Sequence, residues 1–206
     1  MFRSFRSWWT RANSQNETSS PAHNESILKK VDTPFITQDK MLRNAGIQSD
    51  GVCAPLTNAW VRTRLVDKEP EYLKHEIKTL EKTLAEAAIQ NEMIQKGRPD
   101  AVHSALSKLN HEHKEVPREK VTEPEQFKEM VDNNRITMVS YPTGHRNQRH
   151  LVAYEKESDG KHCRMFDPDM PTGEVRSTCE ETRKLFTRMA ELNYPISHGP
   201  ARTGSL

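Results

Sequence analysis

One cysteine of this chain stands where a helix is predicted to begin, in surroundings that suit a nucleophile. Cys53 follows Gly51 by two residues, and Pro55 fits the first turn of a helix, where its missing N–H is no loss. Apolar residues then recur at helical spacing, at Leu56, Ala59 and Trp60. The pattern predicts a helix from Cys53 to about Leu65. Unpaired N–H groups and the helix dipole favour a thiolate there, so we predict that Cys53 is a nucleophile rather than a small buried hydrophobe.

A thiol nucleophile needs a base, and the base needs an acceptor that orients its ring. His150 begins an apolar, strand-like segment, and Asp167 closes a second segment beyond the turn-prone residues 158–160. Residues equidistant from a hairpin turn face each other across the strands, which predicts that His150 and Asp167 are neighbours. The alternatives are His145 as the base, in a polar turn, and Asp169 as the orienting residue, later in its turn.

The chain has no sequence pattern for a metal or for a phosphate-binding cofactor. His111, Glu112 and His113 include a pair of candidate metal ligands, but they lie in a predicted charged helix end without a third ligand in sequence. The 8 glycines are not clustered as a phosphate-binding loop requires. We therefore expect no cofactor and no metal.

Composition argues against several classes of function. The 206 residues are 33% hydrophobic, which suits one domain with a modest core. A formal net charge of +2 produces no field strong enough for nucleic-acid binding, and no stretch is long and apolar enough to cross a bilayer. The three cysteines, Cys53, Cys163 and Cys179, match no disulfide or zinc framework. We therefore expect free thiols and a reducing compartment.

Local patterns divide the chain into a leader, a catalytic domain and a tail. Residues 1–26 are rich in Ser, Asn and Gln, and we predict a disordered leader there. The catalytic domain is predicted over residues 27–197 and a flexible tail over 198–206. Helical periodicity predicts helices over residues 35–43, 71–95, 100–109 and 122–133. Thr122 and Glu125 form a capping box for the last of these.

After residue 134 the apolar residues alternate, as they do in strands. Four short strands are predicted, over residues 136–141, 150–156, 162–166 and 174–176. A last helix runs through Leu192, with a capping box among Ser177, Thr178, Glu180 and Glu181. The prediction is an α+β fold, in which the helical half carries the cysteine and a small antiparallel sheet carries the histidine and aspartate.

Three segments carry a resemblance to a known family: Gly51-Val52-Cys53 with Leu56 and Trp60, then His150-Leu151-Val152-Ala153, then Phe166-Asp167-Pro168 with Gly173-Glu174. In this order they resemble the YopT and AvrPphB family of papain-like cysteine peptidases, found among bacterial type III secreted effectors. The resemblance covers about residues 45–192. It implies a papain-like fold and a catalytic triad of Cys53, His150 and Asp167. It also implies an oxyanion-hole side chain, for which Gln48 is the matching amide, beside the N–H of Cys53.

The function implied by this resemblance is cleavage of a host protein by nucleophilic acyl transfer. The protein would be a secreted effector that acts in the host cytoplasm or at a host membrane surface, as a monomer. Its leader would carry the secretion signal and bind a secretion chaperone. The same triad also suits a glutamine deamidase or a transferase. A binding module that keeps the fold and docks through the helix from Glu71 is the non-catalytic alternative.

Overall fold

The computed structural model describes residues 37–44, 53–66, 85, 88, 113–144, 149–170 and 172–205. Several predictions lie outside these residues, namely the leader, the oxyanion-hole residue Gln48, the alternative base His145 and the helix over 100–109. Of the long helix predicted over 71–95, only Ala85 and Ala88 are described, and both are helical.

In the described residues, helices and strands occur largely in separate runs, with four strands in succession, as in an α+β chain. The helices are α1 (Gln38–Asn44), α2 (Cys53–Leu65), α3 (Glu119–Thr122), α4 (Pro124–Val131) and α5 (Cys179–Asn193). The strands are β1 (His113–Val116), β2 (Ile136–Pro142), β3 (Arg149–Lys156), β4 (His162–Phe166), β5 (Glu174–Thr178) and β6 (Ala201–Ser205). Within the described ranges no helix has the length and apolar content to span a membrane. The α+β class and the helix beginning at Cys53 are confirmed.

The strands form one antiparallel sheet in the order β1-β6-β2-β3-β4-β5. The four predicted strands are confirmed as β2 to β5. Two strands are additional: His113 begins β1 rather than ending a helix, and β6 lies in the segment predicted as a flexible tail. The prediction of a tail over 198–206 is therefore wrong. The segment lacks apolar alternation, but β1 and β6 pair on one side and β2 and β6 on the other, so two ladders of backbone hydrogen bonds hold it.

The sheet lies between two layers of helices. On one face α2 packs with Trp60 stacked on Phe166, and the ring centroids are 5.7 Å apart. On the opposite face, α5 packs through Phe186. The centroid of its ring is 4.2 Å from that of Phe127 in α4 and 6.4 Å from that of Tyr154 in β3. Because side chains alternate along a strand, β3 and β4 contribute to both faces. Helices α2 and α5 therefore lie on opposite faces of the sheet.

A disulfide joins the sheet to α5 on the second face. Cys163 of β4 is bonded to Cys179, the first residue of α5, 16 positions later in the chain. The expectation of three free thiols is thus wrong, and Cys53 is the free cysteine. The two sulfurs meet because β5 returns antiparallel to β4 and ends where α5 begins, which a spacing rule for small disulfide-rich proteins does not capture.

The helix starts test the two predicted capping boxes. Thr178 caps α5, because its side chain accepts a hydrogen bond from the N–H of Glu181. The box of Thr122 with Glu125 is wrong: α4 begins at Pro124, and the Thr122 hydroxyl donates to the carbonyl of Arg118 instead. Proline is favoured at a first helical position and sets the start of α4 there.

Candidate active site

Three polar contacts hold the cysteine helix along the sheet. The Thr57 hydroxyl donates to the Leu151 carbonyl at 2.9 Å, and both groups are buried. One turn later, the Trp60 indole N–H donates to Glu174 of β5 at 2.5 Å. Near the C-terminus of α2, the guanidinium of Arg64 pairs with the Glu155 carboxylate of β3 at 2.6 Å. Hydrogen bonds are directional, so these contacts set the position of α2 along the strands.

At its N-terminus, α2 brings Cys53 to the start of β3. The thiol donates to the carbonyl of Arg149 with Sγ and the oxygen 3.7 Å apart, and Cys53 is 7% exposed. Arg149 is itself tightly held, since its guanidinium donates to the hydroxyl and carbonyl of Ser140 and to the carbonyl of Pro200. The next residue along the strand is His150. The sulfur therefore lies beside the backbone that carries the predicted base.

His150 and Asp167 form a buried pair. The Nε2 atom of His150 lies 2.8 Å from Oδ1 of Asp167, and it is the donor because a carboxylate accepts. Oδ1 of Asp167 also accepts the N–H of Asp169 at 2.8 Å, and the N–H of Asp167 donates to the Gly173 carbonyl. Asp167 is 2% exposed. Its carboxylate is thus fixed from several sides and orients the imidazole.

The two residues meet through a different register from the one predicted. The ladder pairs Ala153 with Phe166, and β4 ends there, so Asp167 lies just beyond the ladder. If the ladder continued in this register, Asp169 and not Asp167 would lie opposite His150. The predicted pairing was therefore displaced by two residues. Because the side-chain period of a strand is two, that displacement leaves Asp167 on the face where His150 lies.

Asp169 contacts the other nitrogen of the same ring. Its Oδ2 atom is 3.6 Å from Nδ1 of His150, and its Oδ1 accepts the side-chain N–H of Gln38 at 2.5 Å. The backbone N–H of Gln38 also donates to the Pro168 carbonyl at 3.0 Å. Asp167 and Asp169 are therefore not alternatives. They occupy opposite edges of the imidazole.

Two clusters in the described ranges bring three potential metal-ligand atoms within 4.8 Å of one another: His150 with Asp167 and Asp169, and Glu157 with Asp159 and His162. Contacts within the protein account for both. In the first cluster the two carboxylates flank the imidazole, one at each ring nitrogen. In the second, Asp159 caps its turn by accepting the backbone N–H groups of Lys161 and His162. We assign no metal to either, and the absence of a cofactor stays a prediction.

Comparison with known proteins finds a match at the level of structure. No family model matches the chain, and neither does a curated protein sequence. The crystal structure of the Pseudomonas avirulence protein AvrPphB is similar, with a TM-score of 0.54 over 83% of this chain and 96% of that one. The fold is papain-like. The two sequences are 14% identical, so the likeness concerns the fold and not the activity.

The electrostatics around His150 favour a charged imidazole. Burial disfavours the charged form and by itself lowers the pKa of His150. The negative charges of Asp167 and Asp169 and the hydrogen bond to Asp167 act in the opposite direction and prevail, so that the pKa of His150 is raised well above its usual value. The raised pKa favours the imidazolium form of the ring.

A buried tyrosine packs beside this imidazolium. Tyr141 pairs with His150 across β2 and β3, and its ring meets the imidazole edge-on with centroids 5.7 Å apart. Its other side stacks on Tyr194 at 5.8 Å. Burial raises the pKa of Tyr141 far above its usual value, and the nearby charges of His150, Asp167, Asp169 and Cys53 also act on it. Tyr141 is thus neutral, and its ring packs against the imidazole without adding a charge.

Sequence reasoning missed three parts of this site: Tyr141, Arg149 and Gln38. Tyr141 had a signal, because it ends the predicted strand before that of His150, and the ladder pairs the two residues. Arg149 acts through its backbone carbonyl, which has no sequence signature. Gln38 had no signal either, since 131 positions separate it from Asp169.

Proposed function

We propose that this protein is a thiol hydrolase in which Cys53, His150 and Asp167 act as a catalytic triad on an amide bond of a protein. The observation that carries the proposal is the buried pair of His150 and Asp167, 2.8 Å apart, at the strand start against which the Cys53 thiol lies. A histidine that is oriented by a carboxylate and adjoins a helix-borne thiol is the arrangement that nucleophilic catalysis requires.

The reaction would begin from a thiolate and an imidazolium. The sulfur of Cys53 attacks the carbonyl carbon, a C–S bond forms, and the carbonyl electrons move to oxygen. When the oxyanion collapses, the C–N bond breaks and the amine leaves with the proton that His150 donates. Water then attacks the thioester with His150 as base, and collapse of the second oxyanion breaks the C–S bond, which releases the carboxylic acid and restores the thiolate and the imidazolium. Asp167 holds the ring in one orientation throughout.

The oxyanion would be stabilised at the N-terminus of α2. Cys53 is the first residue of that helix, so its N–H has no acceptor within the helix and would donate to the substrate oxygen. Gln48 is the proposed second donor. One such donor contributes about 10²- to 10³-fold to the rate in a comparable site.

We propose that this protein is a bacterial effector that is delivered into a host cell and that its substrate is a host protein. This part rests on the sequence resemblance and on the structural likeness to an avirulence protein of Pseudomonas. Because Cys163 and Cys179 form a disulfide, the cysteines do not indicate a reducing compartment. Delivery therefore has to be tested separately from chemistry.

Alkylation of Cys53 tests the chemistry without a known substrate. With the other two cysteines bonded to each other, iodoacetamide has one free thiol to modify under non-reducing conditions. We expect rapid alkylation at pH 6 to 7 in the wild type. Replacement of His150 by Ala removes the imidazolium that stabilises the thiolate and should slow alkylation by about 10²-fold, the low end of what a positioned acid or base contributes. Alkylation at an equal rate in His150→Ala would overturn the proposal.

Product analysis then identifies the reaction. The protein and its Cys53→Ala variant are each incubated with a host-cell lysate, and the peptides are compared by mass spectrometry. New chain ends that need Cys53 indicate proteolysis. A gain of about one dalton at a glutamine, with no new ends, indicates deamidation, which passes through the same thioester. Identical spectra for both proteins would contradict hydrolysis of any protein in that lysate.

A further inference from the structure

The loop between β4 and β5 presents two carboxylates to one imidazole. Asp167 accepts the Nε2–H of His150 at 2.8 Å, and Oδ2 of Asp169 lies 3.6 Å from Nδ1. Since Nε2 is engaged by Asp167, Nδ1 is the nitrogen that would exchange protons with sulfur and leaving group. Asp169 therefore lies at the reactive edge of the ring, where a triad of three residues has no carboxylate.

The carboxylate of Asp169 is close to Nδ1 of His150 but lies beyond hydrogen-bonding distance. At 3.6 Å the two charges attract each other, but the separation exceeds that of a hydrogen bond. Asp169 can thus favour the charged ring without holding its proton in a short bond, and the proton remains available for transfer.

Asp169 is in turn held in place by α1. Gln38 is buried, and its side chain donates to Oδ1 of Asp169 at 2.5 Å, which leaves Oδ2 directed at the imidazole. The Gln38 backbone N–H donates to the Pro168 carbonyl, between the two aspartates. Two contacts from one residue therefore anchor the loop that carries both carboxylates.

We propose that Asp169, held by Gln38, is a second positioning residue for His150, which supports the ring at Nδ1 while Asp167 supports it at Nε2. This inference deepens the function proposed above and rests on it. Of the other titratable groups near the ring, Tyr141 from β2 packs against it and is neutral, and the thiol of Cys53 from α2 lies against the carbonyl of the preceding residue, Arg149. In the neighbourhood of the ring, Asp167 and Asp169 are thus the two carboxylates that act on its charge.

The test follows the titration of His150 itself. The full chain is prepared with ¹⁵N-labelled histidine, and the His150 signals are identified by their loss in His150→Gln. In Asp169→Asn, we expect the ring to lose its proton at lower pH than in the wild type, and alkylation of Cys53 at pH 7 to slow severalfold. Gln38→Ala should change both quantities in the same direction by less, because the carboxylate remains but is no longer anchored.

Asp132→Asn is the matched control. The Asp132 side chain is 40% exposed and that of Asp169 is 39%, so both variants lose one carboxylate of similar exposure. Asp132 lies near Lys156, away from the imidazole, and its variant should titrate like the wild type. An unchanged His150 titration in both Asp169→Asn and Gln38→Ala would overturn the inference. So would an equal shift in Asp132→Asn.

The two proposals fail in different ways. If Cys53 is inert to alkylation in the wild type while Asp169→Asn still shifts the titration of His150, the hydrolase proposal fails and the positioning contact stands. The opposite result is also possible: alkylation of Cys53 is fast and depends on His150, but the titration of His150 is the same in Asp169→Asn and Gln38→Ala as in the wild type. In that case the triad stands and the role of Asp169 fails.

Discussion

The two faces of the sheet hold their helices by different kinds of contact. On the face of α5, rings stack and a disulfide crosses from β4 to the helix. On the face of α2, the contacts that carry direction are polar, namely the bonds of Thr57, Trp60 and Arg64 to Leu151, Glu174 and Glu155. The α5 face joins stacked rings to a covalent link. The α2 face also buries apolar side chains, but it adds three polar contacts that constrain geometry.

The two faces should contribute differently to the stability of the protein and to the position of Cys53. Burial of a large apolar side chain is worth about 1.5–3 kcal/mol, whereas a typical hydrogen bond contributes a net 0.5–1.5 kcal/mol. The α5 face should therefore supply more of the free energy of unfolding. The α2 face should supply less of it but fix the place of Cys53, because hydrogen bonds constrain distance and angle. Three substitutions test this division.

The largest loss of stability is expected on the α5 face. Phe186→Ala removes a buried ring that lies against Phe127 and Tyr154, and deletion of a core phenylalanine costs about 3–5 kcal/mol. Urea denaturation measures the change. Ile196→Ala is the control, since Ile196 is 85% exposed and its replacement should change little. Equal stabilities of the two variants would contradict the assignment of the core to this face.

A smaller loss is expected from the disulfide. Replacement of both Cys163 and Cys179 by Ala opens a loop of 16 positions, and a crosslink of that size stabilises by about 3 kcal/mol. Dithiothreitol should lower the Tm of the wild type towards that of the double variant and leave the double variant unchanged. A reduced wild type as stable as the oxidised one would show that the crosslink contributes nothing.

The smallest change in stability, with an effect on the site, is expected on the α2 face. Trp60→Phe keeps a ring on Phe166 but removes the N–H that donates to Glu174, which should cost about 1 kcal/mol. Alkylation of Cys53 should slow severalfold, because α2 loses one of its three polar contacts. Thr187→Val, which removes a hydrogen bond inside α5, should leave alkylation unchanged. The division between the faces fails if the two variants affect Cys53 alike.

Sequence patterns predicted the elements whose causes are local. Helix α2 begins at Cys53 and ends at Leu65 as predicted, because its proline, glycine and apolar stripe lie within a dozen positions. Strand β4 and the Thr178 cap of α5 were predicted for the same reason. Strand β6 was missed because nothing in Ala201–Ser205 favours a strand. Its pairing partners lie at 113–116 and 137–140, far from it in the chain.

The sequence by itself determined which groups can do chemistry: one cysteine at a helix start, one histidine at a strand start, and two aspartates in one loop. Equidistance from the hairpin turn predicted that His150 and Asp167 are neighbours, and the two do meet, although the predicted register was displaced by two residues. Only the tertiary structure decided that Asp169 lies at the other nitrogen, that Gln38 anchors it, and that Cys163 and Cys179 are bonded. These contacts join residues whose separation no local preference spans, so the packing of the whole chain determines them.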